Sequence, residues 1–246
     1  MIAKSTWTPM IADAYANKYG EVAEDFLSLV VIPSLAALEQ KGVEIAAQED
    51  QVLAAFHLHD HRQLITKTSM ALCLGIQSLW EQQLRDYLCN CPSAGGVTWK
   101  IIRKASWGFS PKAPNLNELF SQIRGLPIEG FESYRRLDKL QLLGNVCRHG
   151  AGDSAEKLQA RYPELWPQAM VEAVQTGGSL LTSLPLGAMQ ITVDLLRDLV
   201  NAVVLFWLDM RIACTEALIP ESPTMIEEVA RLRAKRNPLM SSQCGC

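Results

Sequence analysis

Apolar residues recur at three- and four-residue spacing along most of the chain, the period of a helix with one buried face. Residues 48–90 carry the longest such pattern. They contain no proline, and Gly75 is their one glycine. Within them Leu72, Ile76, Leu79, Trp80, Leu84 and Leu88 fall on one stripe. Cys91-Pro92-Ser93-Ala94-Gly95-Gly96 stops this helix and opens a loop. Upstream, residues 10–40 read as a helix or a helix pair interrupted near Pro33.

Downstream the punctuation is equally regular. Asn115 is a candidate N-cap for a short helix from Leu116 to Ile123, broken by Gly125 and Pro127. A further helix starts near Phe131 and runs to His149, where Gly150 and Gly152 end it. Asp153 or Ser154 caps a short helix that stops before Pro163, and residues 176–187 form a loop. A long helix from about Gln190 to Leu218 is closed by Pro220 and Pro223. Residues 224–236 make a short charged helix, and the tail beyond it is expected to be disordered. A short strand pair within 97–110 is the one β-structure the pattern admits. The prediction is an all-α helical bundle with two long core helices. Residues 1–236 form one domain and 237–246 the tail.

Composition adds limits. Of 246 residues, 48% are hydrophobic and 20% charged, which suits a globular chain with a sizeable core. The net charge of -3 means that a nucleic acid must meet a local basic patch rather than bulk attraction. The start, Met1 to Pro9, lacks a leader-like apolar run. The stretch Ala202 to Leu208, flanked by Asp198 and Asp209, is too short to span a bilayer. The reading is cytoplasmic, without a membrane partner. Seven cysteines, an odd number, read as reduced thiols. Cys73, Cys147 and Cys214 sit inside helical patterns. Cys89 with Cys91, and Cys244 with Cys246, are spaced too closely within each pair for an ordinary structural zinc site.

The helix over 134–149 is the unusual one. At roughly 100° per residue, Leu137, Leu140, Leu142, Leu143, Gly144, Val146 and Cys147 cover most of its circumference. Tyr134, Asp138, Gln141, Asn145, Arg148 and His149 gather in the remaining sector. Such a stripe must face water, a cleft or a partner, because unpaired buried polar groups are costly. Asn145 and His149 are neighbours one turn apart. Imidazole can exchange protons with an attacking or leaving oxygen, asparagine can orient it, and Arg148 can hold a phosphate. The plainer alternative is that Arg148 and His149 complement the dipole of the last turn.

The run Leu140-Gln141-Leu142-Leu143-Gly144-Asn145-Val146-Cys147-Arg148-His149-Gly150 resembles the late-helix motif of the HEPN superfamily. That motif is Arg, a polar residue that is often Asn, three variable residues, then His. Asn145 and His149 match it, and Gly144 stands at the arginine position. The chain also resembles a group of uncharacterised bacterial proteins. These share an Asn-x-x-basic-His-Gly segment, a Ser-Ala-x-x-Leu segment (here Ser154 to Leu158) and a later Val-x-x-Phe-Trp segment (here Val203 to Trp207). The resemblance implies a helical homodimer that binds or cleaves RNA or a nucleotide without metal or other cofactor. It also implies a setting in antiviral defence or a toxin–antitoxin system, with an antitoxin or defence protein as partner. On it, His149, Asn145 and Arg148 are the candidate catalytic residues, with Arg148 standing in for the missing arginine. Gly144 favours the rival reading, an inactive scaffold or partner-binding subunit.

Two further constellations matter. Trp99, Lys100, Arg103, Lys104, Trp107 and Lys112 make a basic, aromatic stretch suited to a nucleic-acid backbone, or else a surface loop whose tryptophans pack on the bundle. Lys100, Arg103 and Lys104, with Gln141, are the candidate RNA contacts. His57-Leu58-His59-Asp60-His61 is one residue short of the metal pattern of metallo-β-lactamase-like hydrolases, and reads instead as a solvated helical face. No phosphate-binding glycine loop, nucleophile elbow or His-Glu-x-x-His pattern is present.

Overall fold

The computed structural model describes residues 8–92, 96–108, 114–176, 183–218 and 222–241. Among these, every regular element is a helix. In chain order they are α1 (Ile11–Tyr15), α2 (Tyr19–Phe26), α3 (Ile32–Ala46), α4 (Gln51–Asn90), α5 (Trp99–Lys104), α6 (Leu116–Arg124), α7 (Tyr134–His149), α8 (Asp153–Arg161), α9 (Gln168–Gln175), α10 (Val193–Leu218) and α11 (Pro223–Ser241). Lys112, Cys244 and Cys246 lie outside the described residues.

Local chemistry explains most boundaries. The 40 residues of α4 span roughly 60 Å at the helical rise. Before α6, the Asn115 side chain accepts from the Glu118 N–H at 2.9 Å, and Glu118 Oε2 accepts from the Asn115 N–H at 3.3 Å. This reciprocal pair satisfies two amides that the first turn leaves open. Gly125, at φ 72°, closes the same helix. The break expected near Pro33 is a π-helical turn over Leu27–Val31, directly ahead of the proline in the first turn of α3. A widened turn there suits a residue that cannot donate a backbone hydrogen bond.

Three expectations change. Within 97–108, part of the segment where the sequence admits a strand pair, Trp99–Lys104 form α5, and no strand occurs among the described residues. The cap of α8 is Gly152, with Asp153 as the first helical residue. Helix α11 continues through Asn237 to Ser241, with Pro238 inside it, over five residues the sequence assigned to the tail. The Arg136 guanidinium donates to the Leu239 carbonyl at 3.1 Å, so this last turn is anchored from α7.

The chain gathers into two compact units, each made of separate stretches. The first comprises Met1–Glu24, Ser78–Asp138 and Asp198–Cys246. Its core is aromatic. Phe206 packs against Phe131 at 4.6 Å, Trp80 at 4.8 Å and Trp207 at 5.0 Å between ring centroids, and Tyr19 meets Trp207 at 4.9 Å. The Trp207 indole donates to Gln83 Oε1 at 2.8 Å, and the Gln83 amide donates to the Tyr19 carbonyl at 3.0 Å. The buried Tyr87 hydroxyl donates to Asp13 Oδ1 at 2.8 Å, and burial, with the Asp13 charge beside it, pushes its ionisation far up.

The second unit comprises Asp25–Gln77 and Lys139–Arg197. Here α3 lies on α4: the buried His61 ring donates to the Leu38 carbonyl at 2.7 Å, and Gly42 sits against that ring. Trp166 donates to the Pro185 carbonyl at 2.9 Å, and Gln159 to the Leu184 carbonyl at 2.8 Å, fixing the approach to α10. The N-terminal part of α4 exposes Val52, Leu53 and Phe56.

Candidate functional site

The end of α7 is held by its apolar side. Leu140, Leu143 and Val146 are fully buried, and Gly150, at φ 74°, turns the chain after His149. The polar residues do not share one environment. Tyr134 and Asp138 belong to the first unit, where Trp107 stacks on the Tyr134 ring and donates to Asp138 Oδ1 at 3.2 Å. Gln141 is buried. Asn145 is half-buried, and Arg148 and His149 are exposed.

Gln141, named among the candidate RNA contacts, is held inside the contact of α7 with α4. Its amide oxygen accepts from Gln77 Nε2 at 2.9 Å, and both residues are at most 1% exposed. The Gln77 carbonyl oxygen in turn accepts from Arg148 Nη2 at 3.3 Å. This is an amide–amide–guanidinium seam between α4 and α7, with Gln77 at its centre. Sequence reasoning passed over Gln77, because one glutamine on an apolar stripe carries no signal of its own.

The seam also accounts for Gly144. A Cβ at that position would lie 2.5 Å from Gln77 Oε1 and 2.6 Å from its Cδ. No side chain fits there while the Gln77 amide keeps its place, so the space an arginine would need is filled. Arg148 reaches the same amide from one turn further along. Among the described residues, neither Asn145 nor His149 makes a side-chain hydrogen bond. One helical turn apart, they leave their polar atoms available at the helix end.

Beside this seam lies a thiol pair. Cys73 is fully buried on α4, and Cys147 is half-buried on α7. The two thiols act on each other: Cys73 lowers the ionisation of Cys147, while Cys147, together with burial, raises that of Cys73.

The basic stretch resolves differently from either alternative. Trp107 packs inward, 6.0 Å from the Trp80 ring centroid. Trp99 stays 55% exposed on α5, with the Arg103 guanidinium 5.2 Å and the Lys100 ammonium 5.7 Å from its ring centroid. Lys104 is exposed on the same helix, while Ile102 is buried and anchors it.

The histidine run divides between partners. His57 meets Gln48 at 3.3 Å, His59 meets Gln63 at 2.9 Å, and the His61 ring is buried between α4, which carries it, and α3, unlike the solvated face expected of the run. Among the described residues no three His, Cys, Asp or Glu side chains are placed to hold a metal ion. No helix among them is long and apolar enough to cross a membrane.

No family model, curated protein or solved structure matches the chain.

Proposed function

We propose that this chain is a HEPN-like protein that engages RNA without a metal, in antiviral defence or a toxin–antitoxin pair. The observation that carries the reading is α5. An exposed tryptophan with two cations over its ring offers a base a stacking surface and a phosphate its countercharge. Separately, the exposed end of α7 supplies Arg148 for a phosphate and His149, beside Asn145, for proton exchange. In cleavage, His149 would take the proton from the attacking hydroxyl or return one to the leaving oxygen, and Arg148 would offset charge on the phosphate. The homodimer belongs to the same proposal, and the exposed Val52, Leu53 and Phe56 are suited to a protein partner.

The second reading is a scaffold that keeps the fold and lacks the chemistry. The packing of Gln77 over Gly144 favours it, since Arg148 then stands alone for the family arginine.

Binding of a labelled single-stranded RNA, followed by anisotropy, tests the first reading. Trp99→Ala is expected to weaken binding about tenfold, the scale of one base–aromatic stack. Equal affinity of wild type and Trp99→Ala would remove the carrying observation. Incubation of total RNA in chelator, wild type against His149→Ala, then separates the two readings. Cutting lost in the variant supports catalysis; binding without cutting in both supports the scaffold.

A further inference from the structure

We propose that Cys73 and Cys147 form a reversible disulfide that fastens α4 to α7 beside the Gln77–Arg148 seam when the protein meets a hydroperoxide. The register of the two helices carries this. Gln77 lies against Gly144, so close that not even a Cβ separates them, and it also reaches Gln141 and Arg148. Cys73 is one turn back from Gln77 on α4, and Cys147 is about one turn on from Gly144 on α7. In antiparallel packing those two steps lead to the same place, where each thiol shifts the ionisation of the other. The Gln77 side chain seated on Gly144 marks where α4 and α7 come into contact, and a disulfide one turn away needs a short Cα separation there.

The two thiols have different roles. Cys147 is half-buried and reachable, and its thiolate is favoured by the neighbouring Cys73. Cys73 is fully buried and is reached only through its neighbour. The Cys147 thiolate attacks one peroxide oxygen: an S–O bond forms, the O–O bond breaks, and the departing oxygen leaves as water or an alcohol after taking a proton. The Cys73 sulfur then attacks the sulfenic sulfur. An S–S bond forms, the S–O bond breaks, and hydroxide leaves as water with the Cys73 proton. Two thiols lose two electrons and one hydroperoxide gains them. Cys89 and Cys91 are poorer competitors: burial raises the ionisation of both, that of Cys91 to about 11.

This inference concerns thiol chemistry and does not rest on the RNA reading. The test uses the full reduced chain treated with stoichiometric hydrogen peroxide, blocked with a maleimide and digested with trypsin without reductant. The expected product is peptide 68–85 joined to peptide 140–148, each of which holds a single cysteine. It should disappear with dithiothreitol and be absent from Cys147→Ser. In Cys73→Ser, given a second equivalent of peroxide, Cys147 should instead oxidise to the sulfinic acid. Predominant Cys89–Cys91 linkage, intermolecular linkage, or sulfinic Cys147 in the wild type would each overturn the proposal. The decisive sample is the wild-type chain, so a poorly folding variant leaves the test intact.

Discussion

The two units solve the problem of packing helices in opposite ways. The first fills its interior with rings: Trp80, Tyr87, Phe120, Phe131, Phe206 and Trp207 meet edge to face or tilted, and one glutamine satisfies the buried indole of Trp207. The second brings α4 and α7 together over a glycine and lines the contact with amides, a guanidinium and two thiols. Rings give large, forgiving contact areas. A polar seam gives little area but fixes position, because each displaced partner leaves a buried group unsatisfied. The candidate chemistry of α7 lies at the end of the second kind of packing.

The largest expected effect is in the aromatic unit. Phe206→Ala should cost about 3–5 kcal/mol, read from urea unfolding, as a large ring removed from a closed core does. A cost below about 1 kcal/mol would mean that these rings do not carry the unit. Next is the seam. Gly144→Ala should cost about 1–3 kcal/mol through overpacking. In a Gln77→Ala background the same change should cost much less, and the double-mutant cycle should give a coupling of about 0.5–3 kcal/mol. Additive effects would contradict the close contact. Gln83→Leu should cost about 1–3 kcal/mol by leaving the Trp207 N–H unpaired, which tests whether the aromatic unit has a polar requirement of its own. The smallest effect is a control. A Cβ at Gly42 would meet His61 at an ordinary 3.4 Å, so Gly42→Ala should stabilise by about 0.4–1 kcal/mol. A large loss there would show that glycine substitutions in this unit report something other than seam contact.

Much of this was legible in the sequence, for identifiable reasons. The span of α4, the Asn115 cap and the glycine stop after His149 are local signals, written in consecutive residues. Helix α5 was not, because its six residues lie between glycine- and serine-rich segments and are too few to show a period. The extension of α11 past Pro238 was hidden because proline reads as a stop, whereas the anchoring contact comes from Arg136, far away in sequence. At the site, the positions of Asn145, Arg148 and His149 on one helix end followed from spacing alone. The burial of Gln141 and the reason for Gly144 did not. Both depend on Gln77, a residue on a different helix whose identity carries no pattern.

The contact between Gln77 and Gly144 also orders the substitutions open to this protein. A side chain at 144 requires Gln77 to move, and moving or shortening Gln77 gives up the hydrogen bonds to Gln141 and Arg148. The two positions are thus epistatic, with residue 77 acting as a gate on residue 144. A saturation library at 144 should favour glycine and small residues in the native background and return a wider set once the gate is opened by Gln77→Ala. A gain of activity through a restored arginine is therefore to be sought only in paired libraries, where both residues change together.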